Sequence, residues 1–174
     1  MNTNVTSASL IPIATAIVAT TMAASSNAQQ ATTKEQLIGT WKFVSLKAIT
    51  GNNVSYPFGE KVAGYATITS DRIALVVDST RKAPAAAALT DAESIAMMKS
   101  HAAWTGKYAT AEQTVDGIKL IAHVDAAPNE AINNTDRVYF MRVIGNKLTV
   151  KSPGVINPAT GATNAVVGEY VKVD

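Results

Sequence analysis

The chain has 174 residues, 47% hydrophobic and 16% charged, with a formal net charge of +2. So small a positive excess does not make a phosphate-binding surface, which argues against nucleic acid as a partner. With no cysteine, neither a disulfide framework nor a thiolate metal site can form, a thiol nucleophile is ruled out, and stability has to come from a buried core.

The first segment is an alanine-rich apolar run, "LIPIATAIVATTMAA" from Leu10 to Ala24, followed by Ser26-Asn27-Ala28. An apolar run ending in small residues has the form of an export signal, and cleavage is expected after Ala28. The run is shorter than the ~20 apolar residues a spanning helix needs, and no cysteine follows it to carry a lipid anchor. These features predict a signal peptide over 1–28 and a mature protein that is secreted or periplasmic, with no membrane association after cleavage. Residues 29–36, "QQATTKEQ", read as a mobile leader, and 37–174 as one domain.

Within that domain, β-rich runs separated by turn residues predict strands near 39–48, 62–70, 72–78, 105–110, 117–126, 135–144, 147–152 and 165–173. Asp116-Gly117 and Gly145-Asn146 are hairpin turns. One helix is expected, because Thr90-Asp91-Ala92-Glu93 is a capping box and "SIAMMKSHAAW" continues with helix formers. Antiparallel strands in sequence leave exposed edges unless the sheet closes on itself, and eight make a barrel whose interior either fills with side chains or holds one small ligand. The predicted fold is all-β: an eight-stranded up-and-down antiparallel barrel with one short helix.

"LIGTWKFVSL", "YPFGEKVAGY", "WTGKY", "HVDAAPN" followed by Arg137, and "GEYVKV" resemble, in order, segments of the lipocalin-like domain family of bacteria and fungi. In such barrels an early Gly-x-Trp lays an indole across the closed end, so the resemblance makes Gly39 and Trp41 structural. Two departures stand out. Asp71-Arg72 lacks the glycine of the family's Asp-Gly-Arg turn, and Gly168-Glu169-Tyr170 replaces an aromatic-Glu-Arg ending. The family has no single established reaction, so function has to be argued from the site.

Strand parity supplies the site candidates. Glu169 shares a face with Ala165, Val167, Val171 and Val173, which predicts a carboxylate in an apolar row. A buried carboxylate needs a partner, and Arg137, on a face with Tyr139, Met141 and Val143, is the candidate. The pair reads either as a core ion pair or as a ligand contact. His123 could move protons, but its face also carries Lys119 and Asp125, which places it outside; the resemblance, which puts a histidine in this segment, implies a cavity role. Glu169 and His123 are thus the catalytic candidates. His101, within the expected helix, reads as a surface or packing residue. Two histidines without clustered carboxylates give no metal site, and no nucleophile elbow, zinc motif or phosphate loop is present. Trp104, Tyr108, Tyr139 and Tyr56 are the aromatic candidates for ligand contact, beside Arg137 and Glu169.

Three readings remain open. The first is a non-enzymatic protein, monomeric or weakly dimeric, that binds a small, mostly apolar molecule in the barrel without a cofactor. The second is a cofactor-free isomerase or cyclase using the same cavity. The third is a barrel filled by its own side chains.

Overall fold

Apolar residues at every second position, punctuated by glycine-bearing turns, generate antiparallel pairing between successive strands. In the computed structural model, which describes residues 31–79, 89–156 and 161–173, the strands are β1 (Gly39–Thr50), β2 (Asn53–Ser55), β3 (Val62–Ile68), β4 (Arg72–Ser79), β5 (His101–Thr114), β6 (Gly117–Ala126), β7 (Asp136–Ile144), β8 (Lys147–Lys151), β9 (Val155–Ile156) and β10 (Thr163–Lys172). Each long strand pairs with the next, and β1 also pairs with β10, which closes an eight-stranded antiparallel barrel. The short strands β2 and β9 only extend β1 and β10 at one end. The expected signal peptide and its cleavage site lie outside the described residues.

One helix, α2 (Asp91–Met98), begins at the expected capping box, with Glu93 N–H donating to Thr90 Oγ1 at 3.3 Å and Thr90 N–H donating to the Glu93 carboxylate at 2.8 Å. It stops earlier than the helix formers suggest. His101–Trp104 belong to β5, so His101 is a strand residue; pairing of Asp78, Val77 and Val76 with His101, Ala102 and Ala103 outweighs the weak helix preference of that stretch. No helix among the described residues is long and apolar enough to cross a membrane.

The two ends of the barrel differ. At one, the β3–β4, β5–β6 and β7–β8 turns meet the segment that enters β1. That segment, expected to continue a mobile leader, is packed. Thr32 is buried and its Oγ1 accepts from Val143 N–H at 3.0 Å. A short helix, α1 (Lys34–Leu37), then carries Leu37 into the core. The Trp41 indole is fully buried, and its N–H donates to Leu37 O at 2.7 Å. Lys172 Nζ lies 5.2 Å from the Trp41 ring, where ammonium and indole face attract. The hydroxyl of Tyr108, also at this end, donates to Thr69 O at 2.7 Å. Trp41 is the floor of the barrel.

A bulge in β1 decides what faces inward above that floor. Phe43 pairs with Tyr170 but Ser45 with Glu169, so Val44 is an extra residue and the side-chain alternation slips by one. Trp41 and Phe43 point in; beyond the bulge Leu46 and Ala48 do, and Lys47 and the buried Ser45 lie on the other face with Glu169.

Candidate functional site

The opposite end of the barrel is open. The inner faces of the strands enclose a cavity of about 1370 Å³, whose walls are predominantly aliphatic and aromatic. β6 does not line it: its inward residues Ile118, Leu120, Ala122 and Val124 are buried in the packed core. The cavity walls come chiefly from β1, β4, β5, β7, β8 and β10, with Met98 of α2 at the rim.

β7 presents its polar residues to this space. Arg137, Tyr139 and Met141 line the cavity, as parity predicts. The Tyr139 ring stacks on Trp104, two strands away on the same wall, with centroids 5.9 Å apart and planes within 3° of parallel. Opposite, Phe43 and Tyr170 pack at 4.3 Å with a 42° tilt. Tyr170 is held there by a missing side chain: a Cβ on Gly168 would lie 2.8 Å from Tyr170 Cε2, so only glycine leaves room for the ring. Neither tyrosine hydroxyl, nor the Arg137 guanidinium, bonds to any described residue. Burial pushes the phenol pKa of both tyrosines up; the nearby Arg137 charge pulls Tyr139 partly back, whereas Tyr139 raises Tyr170 further. The Asn164 amide oxygen, also in the lining, is buried without a hydrogen bond.

Two further groups sit at the mouth. His101 lines it and bonds through Nδ1 to Met97 O at 3.1 Å; since a carbonyl can only accept, Nδ1 carries the proton. Lys99 lines it beside His101. The lining carboxylate is Asp136, whose Oδ1 is 2.9 Å from Nδ1 of the outward-facing His123.

Several sequence expectations change against this geometry. Glu169 is not in an apolar row facing Arg137. The inner face of β10 is the other one, carrying Gly168 and Tyr170, and Glu169 stands on the outside, about half exposed. Its Oε2 accepts from Ser45 Oγ at 2.6 Å, and Lys47 Nζ lies 3.5 Å from Oε1. The Ser45 hydrogen bond, the largest cause, and the Lys47 charge hold the carboxyl below its ordinary range against the opposing effect of burial. Parity misled there because the outer face of β10 is the more aliphatic one. His123 is outside, as parity argued. Trp104 and Tyr139 line the cavity, whereas Tyr108 belongs to the floor and Tyr56 lies exposed outside the lining. Phe43, Tyr170, Asn164, Lys99 and His101 were not among the candidates. The readable signal for Tyr170 was Gly168 two residues before it on the same face, the smallest side chain beside a large ring.

Among the described residues no group of three or more His, Asp or Glu side chains is placed to hold a metal ion. Residues 38–169 match the model of the lipocalin-like domain. The chain belongs to that family. No curated protein and no solved structure matches it. Barrel and family together support a ligand-binding protein of the calycin type.

Proposed function

We propose that this lipocalin-like protein binds a small, mostly apolar molecule in its barrel. The observation that carries the reading is the cavity itself, about 1370 Å³, open at one end and walled by aliphatic and aromatic side chains over a fully packed floor. Apolar surface of this kind, with few polar groups converging on it, is the usual make-up of a small-molecule site. A ligand there exchanges cavity water for dispersion contacts, and its burial contributes about 25 cal/mol per Å² of apolar surface. Binding is favoured over the isomerase or cyclase alternative because the two expected proton carriers, Glu169 and His123, stand on the outer surface.

Native mass spectrometry of protein isolated from its own host tests the proposal. A bound small molecule, released on denaturation, is the expected result. Bare protein in repeated preparations, together with no thermal shift from a panel of apolar compounds, would reject it. We also propose that binding takes place outside the cytoplasm. The apolar run at Leu10–Ala24 and the small residues ending at Ala28 support export. Cleavage after Ala28 would leave the floor segment from Thr32 intact. Sequencing of the mature terminus should begin at Gln29; an intact Met1 on cytoplasmic protein would refute it.

A further inference from the structure

We propose that the molecule held in the barrel is an apolar carboxylic acid bound as its anion, with its carboxylate at Arg137 and its body against Trp104, Tyr139 and Phe43. The inference rests on the binding reading above and adds the chemistry of the ligand's polar end.

The argument starts from Arg137, a permanent cation in the cavity lining. Its guanidinium has no carboxylate or carbonyl partner among the described residues. While the cavity is wet, water solvates it. A neutral apolar ligand would strip that water away and leave a cation facing hydrocarbon, a costly arrangement. A carboxylate replaces the lost water with charge-assisted, two-pronged hydrogen bonds, which fit the planar guanidinium.

The rest of the mouth has the same bias. Lys99 adds a second cation to the lining, and the one carboxylate there among the described residues, Asp136, has Oδ1 engaged by His123 on the outer side. A ligand cation would therefore meet two fixed cations, Arg137 and Lys99, against a single, exposed and already engaged carboxylate. Tyr139 adds a hydroxyl beside Arg137 that donates to no described residue, so it is available to give a second hydrogen bond to the same carboxylate. The remaining walls are mainly aliphatic and aromatic, with Asn164 and Ser152 among the few polar residues, which favours an acid with a substantial hydrocarbon or aromatic body.

The test compares cis-parinaric acid with its methyl ester, two fluorescent probes alike except for the charge. Wild type is expected to bind the acid at least about tenfold more tightly than the ester, the ratio given by a single charge-assisted interaction. Arg137→Gln should abolish that preference, weakening the acid while the ester binds at least as tightly as it does to wild type. Arg137→Lys should retain part of it, and Arg142→Gln, on the alternate side of β7, should leave it whole. Wild type alone supplies a decisive comparison should a variant fold poorly. Equal affinity for acid and ester in wild type would overturn the acid assignment while leaving apolar binding standing. Failure of both probes to bind at any concentration would count against the binding reading, and this inference would fall with it.

Discussion

The floor and the mouth of the barrel are built from the same residue types and handle their polar groups in opposite ways. At the floor, Trp41 N–H, Tyr108 O–H and Thr32 Oγ1 each meet a backbone partner, at 2.7, 2.7 and 3.0 Å. In the open half, the hydroxyls of Tyr139 and Tyr170 and the guanidinium of Arg137 meet none among the described residues. Buried polar groups are nearly always paired, because a donor left without an acceptor forfeits its hydration and receives nothing in return. A wall that turns Arg137 and two tyrosine hydroxyls to the cavity without partners among the described residues, and buries the Asn164 amide oxygen unpaired, is adapted to something other than its own stability. The difference separates the part of the molecule that holds the fold from the part left available to a ligand, and substitutions in the two should act on different observables.

The largest effect is expected at the floor. Trp41→Ala removes a fully buried indole, its hydrogen bond to Leu37 and the ring beneath Lys172. Truncating a large aromatic in a core costs about 3–5 kcal/mol. Thermal or urea unfolding should register a loss of that size, and a Trp41→Ala protein as stable as wild type would mean that Trp41 is no floor. Any loss of ligand binding would follow from the collapse.

Gly168→Ala strikes the boundary between the two halves. The added methyl lands 2.8 Å from the far end of the Tyr170 ring, so the ring must shift and disturb its contact with Phe43. Overpacking of this kind costs about 1–3 kcal/mol. It should also lower the affinity for an apolar probe. Stability lost with unchanged probe affinity would show that Tyr170 does not border the ligand space.

Glu169 offers a smaller effect with a pH signature. Its carboxyl is held below its ordinary range by the Ser45 hydrogen bond and the Lys47 charge. The stabilisation is therefore complete above the unfolded-state value of about 4.3 and is lost as pH falls through the lower folded-state value. Glu169→Gln should cost about 0.5–1 kcal/mol near neutrality, a figure kept low because the side chain is half exposed. The difference from wild type should close in acid, and probe affinity should not change. Weakened binding in Glu169→Gln would return this residue to the site.

These contrasts also show how far the sequence could be read. Strand positions, the capping box at Thr90 and the floor tryptophan were legible because each depends on a local pattern: alternation, cap spacing, a Gly-x-Trp start. The inner face of β7 was legible for the same reason. Glu169 was not, because which face of β10 turns inward depends on pairing with β1, whose bulge at Val44 shifts the alternation between Phe43 and Leu46. The start of β5 at His101 was hidden by alanines that suit a helix as well as a strand; pairing with β4 decided it. Residues whose roles come from non-local pairing, Tyr170 and Asn164 among them, became visible only when the barrel closed.

Tyr170→Phe gives the smallest expected change in stability and the sharpest use of the comparison between floor and mouth. A hydroxyl that makes no hydrogen bond to any described residue contributes little to folding, and replacing it with hydrogen in a buried aromatic ring should leave the melting temperature unchanged or slightly higher. The same deletion at Tyr108 removes a hydrogen bond to Thr69 O and should cost about 1 kcal/mol. The two variants differ in the opposite sense in binding. Tyr170 borders the cavity and its hydroxyl is available to a ligand oxygen, so Tyr170→Phe should weaken a ligand that hydrogen-bonds there; Tyr108 lies outside the lining, so Tyr108→Phe should leave affinity alone. Equal destabilisation of the two proteins would mean that Tyr170 has a structural acceptor after all, and the division of labour between floor and mouth would fail at the residue that most depends on it.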